Sequence, residues 1–127
     1  MDVIKTGQSR PGPLSEVVGD YYRHIDQRDV DAALACFAPS AVYRRPGYDA
    51  FVGSTAINAF YRDGRVISDG RHELETVVED TETVAVRGFF EGTSHSGDPL
   101  TVRFADFWHF SGGAVVERNT YFDAAAV

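Results

Sequence analysis

The 127 residues contain a single cysteine, Cys36, so no intrachain disulfide can form, and a reducing, cytoplasmic setting is the expectation. Basic residues are also scarce: twelve Lys and Arg against nineteen Asp and Glu give a net charge of −7. The twelve are scattered, with no basic run. A chain this acidic has no electrostatic grip on nucleic acid or on an anionic membrane, and neither partner is expected. No apolar run approaches membrane-spanning length. Residues 1–14 lack the apolar stretch of a secretory signal. There is no Gly-rich phosphate loop and no Ser or Cys nucleophile motif. His24, His95 and His109 have no acid or Cys at metal-ligand spacing, so no metal and no cofactor is expected. Cys36, beside Phe37, reads as an inert core thiol.

The chain does have apolar and aromatic residues in quantity. Its length suits one domain, and 43% hydrophobic content can build a core without disulfides or metals. Nine Phe and six Tyr are the residues that line cores and ligand pockets alike. Residues 1–13 (MDVIKTGQSRPGP) show no apolar period and read as a disordered leader, leaving 14–127 as the domain. Leu14, Val17, Val18, Tyr21, Tyr22 and Ile25 then form one helical stripe, broken at 26–28. Asp29 caps a predicted second helix that buries Val30, Ala33, Leu34 and Phe37 and stops at Pro39. A short strand is predicted over 41–45, and a third helix opens at Gly53-Ser54-Thr55, carries Ile57, Phe60 and Tyr61, and closes at Gly64.

The remainder reads as sheet. Residues 71–79 alternate, with His72, Leu74, Thr76 and Val78 on one face. Strands over 83–91, 100–110 and 114–122 follow, joined by turns at 94–99 and at Ser111-Gly112-Gly113. Helices first and consecutive antiparallel strands last predict an α+β domain, with three helices on one face of a curved sheet.

The segment LTVRFADFWHF carries the sharpest chemical signal. One strand face holds Leu100, Val102, Phe104, Asp106, Trp108 and Phe110, five apolar groups around one acid. A carboxylate there is costly when charged. Either its pKa rises and it serves as a proton donor, or it pairs with a cation, for which Arg45 and Arg118 are the candidates, or it bonds a backbone turn. Tyr22, on the buried helical stripe, and His72, whose ordinary pKa suits proton transfer, are the other catalytic candidates. Each has a plain structural alternative: core phenol and rim histidine. Tyr43 and Arg45 share a face of the first strand, where Arg45 could orient a substrate oxyanion or remain at the surface.

The runs YYRHIDQRDVDAALACFAPSAVYRRPG, GSTAINAFYRDG and GDPLTVRFADFWHF resemble ketosteroid isomerases, limonene epoxide hydrolases and SnoaL-like polyketide cyclases of the nuclear-transport-factor-2-like superfamily. The resemblance covers nearly the whole chain from Leu14 and implies a cone-shaped fold with an apolar pocket. It places the isomerases' strand acid on Asp106 and their oxyanion-hole tyrosine on Tyr22. Their base falls on Arg45, which cannot act as one. Of the epoxide hydrolases' Arg-x-Asp and last-strand Asp, only the first Asp is matched, by Asp106; the other positions fall on Phe104 and near Thr120. FYRDGRVISDGRHELE, FADFWHF and RNTYFD look closest to small cyclase, epoxide-opening and dehydratase proteins of polyketide and polyether pathways. The resemblance implies a cofactor-free acid/base enzyme on an apolar, polyketide-like small molecule, with Asp106 and Tyr22 catalytic; His72 joins them on its own strand position and pKa. Tyr43, Arg45, Phe60, Phe104, Trp108 and Tyr121 are the expected substrate contacts. An isomerase-like proton shuttle and a non-catalytic binding module are the alternatives, and a homodimer through the outer sheet face is expected.

Overall fold

The computed structural model describes residues 12–65 and 67–124. The proposed leader lies outside them except for Gly12 and Pro13. Pro13 is not leader: it opens helix α1 (Pro13–Asp26), where its missing N–H costs nothing. Glu79 accepts hydrogen bonds from the Ser15 backbone and hydroxyl, each at 2.8 Å, tying this helix start to the sheet. The stripe read from the sequence is the buried face: Val18, Tyr21, Tyr22 and Ile25 are all 5% exposed or less. None of the described helices is long and apolar enough to cross a membrane.

Helix α2 (Val30–Leu34) is capped by Asp29, whose side chain accepts from the Ala32 N–H at 3.1 Å. It ends sooner than its apolar pattern predicts. Phe37 is not its last turn but the first residue of strand β1 (Phe37–Arg44). The strand tolerates Pro39 because its pairing shifts register between Phe37 and Val42. Pro39 falls in that bulged stretch, where no ladder N–H is required. Strand β2 (Phe51–Val52) follows, then α3 (Ser54–Ala59), which runs on into a π-helical turn, Phe60–Gly64. The wider turn carries Phe60 and Tyr61 inward, and such turns gather at functional sites.

Four long strands complete the chain: β3 (Ile67–Asp80), β4 (Thr83–Ser94), β5 (Pro99–Ser111) and β6 (Ala114–Phe122). The six-stranded sheet runs β2-β1-β6-β5-β4-β3, with β1 parallel to β6 and the other pairs antiparallel. It is a curved, unclosed mixed sheet with helices against its concave face, the expected α+β cone. Gly112 and Gly113, at φ 61° and 84°, make the two-residue β5–β6 turn that other residues would strain.

One alternation differs from the sequence pattern. The β3–β4 register slips between Leu74 and Thr76, so Val77 rather than Val78 packs on the core and Val78 is 44% exposed. A bulge inserts one unpaired residue, which reverses the faces beyond it. Strand β5 keeps the predicted alternation, and Val102, Phe104, Asp106, Trp108 and Phe110 all point inward.

Candidate active site

Asp106 is fully buried and hydrogen-bonded on every side. Register places Thr120 opposite it on β6 and Arg118 opposite Trp108. Arg118 reaches diagonally to the acid: Nε donates to Oδ1 at 3.2 Å and Nη2 to Oδ2 at 2.8 Å. The Thr120 hydroxyl donates to Oδ1 and the Tyr22 hydroxyl to Oδ2. Trp108 Nε1 donates to the Tyr22 oxygen at 3.2 Å. Burial pushes the Asp106 carboxyl up, but the Arg118 guanidinium and the Thr120 and Tyr22 hydroxyls outweigh it and hold it below its ordinary value. Of the readings open in the sequence, pairing with Arg118 is therefore the one realised. Asp106 is an anion at neutral pH, not a stored proton. Burial and the neighbouring carboxylate push the Tyr22 phenol well above its usual range.

Arg118 is equally committed. Its Nη1 donates to Tyr21 Oη at 2.7 Å and to Tyr61 Oη at 3.0 Å, and those two hydroxyls bond each other. Its guanidinium carbon lies 4.3 Å from the Trp108 ring centre and 4.6 Å from that of Tyr43. A desolvated cation needs such neighbours, since both charge and planar faces are then matched.

A second pair sits where α1 meets β3. Asp26 Oδ1 lies 2.6 Å from His72 Nδ1, and Oδ2 accepts the His72 backbone N–H at 2.8 Å. The carboxylate thus fixes both the ring and the strand that bears it. With Nδ1 held as the donor to Asp26, Nε2 is the basic nitrogen, and His72 lines the central cavity. The rings of Tyr22, Phe90 and Phe104 pack around the imidazole, with centres 5.0, 4.8 and 5.5 Å away. Burial lowers the His72 pKa, and the Asp26 hydrogen bond and charge offset part of that. The imidazole is neutral, and so able to accept a proton, at pH 7.

The cavity beside these groups is narrow, about 30 Å³, room for a water or two with the side chains as they stand. Phe90, Val102 and Phe104 give it apolar walls, and His72 stands among them. Tyr43, Arg45, Arg118 and Thr120 form a polar region of its lining. Arg45 is buried, not at the surface, and its Nη1 donates to Tyr43 Oη at 2.9 Å. Burial raises the Tyr43 phenol, but Arg118 and Arg45 outweigh this and bring it below its ordinary value. Tyr21 and Tyr61, by contrast, are raised, first of all by burial. Tyr43 is therefore the phenol best suited to donate to a developing oxyanion.

Tyr43, Arg45 and Phe104 line the cavity as the sequence suggests. Phe60 and Trp108 do not: Phe60 packs behind, its ring 5.1 Å from the Arg45 guanidinium carbon, and Trp108 is fully buried beneath Arg118. Tyr121 points out of the cone and is 56% exposed, because alternation on β6 turns Thr120 inward and so Tyr121 outward. Sequence reasoning missed Asp26, which falls in what reads as a helix break. Its signal is an acid in the last turn of α1, where the helix dipole disfavours negative charge. Tyr21 and Tyr61 were legible only as core. Cys36 donates to the Ala33 carbonyl at 3.3 Å, and burial pushes its thiol up to about 11.

Solved structures share this architecture. An NTF2-like protein of unknown function from Burkholderia pseudomallei superposes with a TM-score of 0.81 at 24% identity, over 88% of this chain and 92% of that one. TerC, co-crystallised with polyporic acid, gives 0.77 at 23% identity, over 88% and 92%. An LEH-like epoxide hydrolase from M. tuberculosis gives 0.76 at 14% identity, over 87% and 82%. At these identities the likeness is one of fold. No curated protein matches the sequence. The family model for the SnoaL-like domain, however, matches residues 18–118, and the chain belongs to that NTF2-like family.

Proposed function

We propose that this protein is a cofactor-free acid/base enzyme that removes a proton from carbon beside a carbonyl in a polyketide-like substrate and expels water. The observation that carries the reading is His72, neutral, oriented by Asp26 and set beside Phe90 and Phe104 in the wall of the cavity. Nε2 takes the proton and the C–H electron pair moves toward the carbonyl, whose oxygen becomes an oxyanion. Tyr43, flanked by Arg45 and Arg118, donates to that oxygen. When the electrons return, the β C–O bond breaks. The imidazolium gives its proton to the departing hydroxyl, which leaves as water, and the base is regenerated. Asp106 has a different part from the one the sequence suggests: it holds Arg118 and Tyr22 in place. TerC, of the same fold, has been crystallised with polyporic acid, which supports a carbon-rich, oxygenated substrate.

The base can be tested without the natural substrate. 5-Nitrobenzisoxazole opens to a coloured phenolate when one C–H proton is taken, because its N–O bond breaks in the same step. We expect the wild type to accelerate this opening and His72→Asn to lose roughly 10² to 10⁴-fold. Asp26→Asn should lose less, since the ring remains but its tautomer is no longer fixed. Equal rates for wild type and His72→Asn would remove the base from the mechanism.

A further inference from the structure

A second compartment of about 140 Å³ adjoins the catalytic cavity, and the two share Tyr61, Arg65, Ile67 and Phe90 in their walls. Three guanidiniums line it: Arg28, Arg62 and Arg65. Such a cluster is unexpected in a chain of net charge −7. Two of the acids beside it are already committed. Asp26 spends both oxygens on His72, and Asp31 pairs with Arg62. Among the described residues, Arg28 and Arg65 form no ion pair, and Asp69 is the one lining acid left to face them.

Arg65 stands at the junction. Its guanidinium carbon lies 5.2 Å from the Tyr61 ring centre, and its Nε is buried with no hydrogen-bond partner among the described residues. A buried donor left unmet is costly and calls for an acceptor. Arg28 takes a left-handed conformation, φ 62°, that glycine usually fills at a helix end. Strain of this kind gathers at ligand sites.

We propose that Arg65, supported by Arg28, binds an acidic group of the substrate, a carboxylate or phosphate, while the reacting carbon lies against His72. The assignment rests on the central cavity being the reactive site. It makes the substrate a bipartite molecule: an apolar, carbonyl-bearing part inside and an anion at the outer end. A guanidinium fork suits both acids, which it meets with paired N–H donors.

Titration of the labelled protein by NMR with trans-cinnamate and with cinnamamide, its neutral isostere, isolates the charge. Cinnamate should bind about tenfold more tightly. Arg65→Gln should erase that preference and Arg65→Lys should keep most of it. Arg28→Gln, at an exposed residue that leaves the core untouched, should reduce the preference by a smaller factor. Phenyl phosphate in place of cinnamate shows which acid the site prefers. Equal affinities of the wild type for the acid and the amide, or a preference unchanged in both Arg65→Gln and Arg28→Gln, would overturn the proposal. Binding requires no turnover, so the His72→Asn protein should retain the preference, and a failure of the base and a failure of this site are read separately.

Discussion

Replacing Asp106 by Asn keeps the shape and an acceptor oxygen but leaves Arg118 as a buried cation without its counter-charge. Removing one partner of a buried pair costs about 3–5 kcal/mol. Arg118 is 4% exposed and keeps only neutral oxygens, those of Tyr21, Tyr61 and the new amide, so its charge is left uncompensated. With an unfolding entropy of about 2.1 cal/mol/K per residue, the 127 residues give about 0.27 kcal/mol/K. The melting midpoint should therefore fall by roughly 10–20 °C, measured by circular dichroism at pH 7. Asp106→Leu combined with Arg118→Met should regain most of this, since an apolar pair of similar volume carries no stranded charge. The gap must also depend on pH. Asp106 titrates lower in the folded chain than in the unfolded one. Its contribution is complete above the unfolded value of roughly 3.9 and is lost as pH falls through the lower folded value. Wild type and D106N should thus converge in acid. A midpoint within about 2 °C of wild type at pH 7, far inside the expected shift, would refute the ion-pair reasoning.

The rate of 5-nitrobenzisoxazole opening should rise with pH and level off below the ordinary histidine value of roughly 6.5, because burial lowers the His72 pKa; a midpoint above that value would contradict the desolvated site. The same shift implies that His72 favours the folded state fully above its unfolded value and ever less as pH falls below it, which acid-side melts of His72→Asn would show as a reduced slope. Phe107 and Tyr121 are 42% and 56% exposed and meet edge to face on the outer sheet surface, so we propose a homodimer through that face; Phe107→Asp should halve the mass seen by sedimentation. Deleting residues 1–11 should leave the midpoint unchanged, and a fall of several degrees would show that they pack on the domain.

The sequence is most legible where one period governs a whole element. The α1 stripe and the inward face of β5 are recovered because burial alone fixes which residues face the core. Legibility stops where a local irregularity resets the count. The β3 bulge exchanges Val78 for Val77, and the shifted β1 pairing turns Phe37 from helix to strand, yet neither leaves a mark in hydrophobic period. Asp106 was found because an acid among Phe104, Trp108 and Phe110 is anomalous within its own strand. Its partner could be named only as a choice between Arg45 and Arg118, since which one reaches it depends on how β6 lies against β5. Asp26 was missed for the same reason: its carboxylate gains meaning only where α1 docks on β3, a contact between residues far apart in the chain.

That docking has another effect. Strand β3 is the outermost strand of the sheet, where unpaired backbone groups can recruit a strand from another molecule. The His72 N–H is one such group, and Asp26 occupies it. The carboxylate that aims the imidazole also seals part of the open border of the sheet. The two are therefore linked: replacing Asp26 by an apolar residue is expected to free the His72 ring and to bare that stretch of strand edge together.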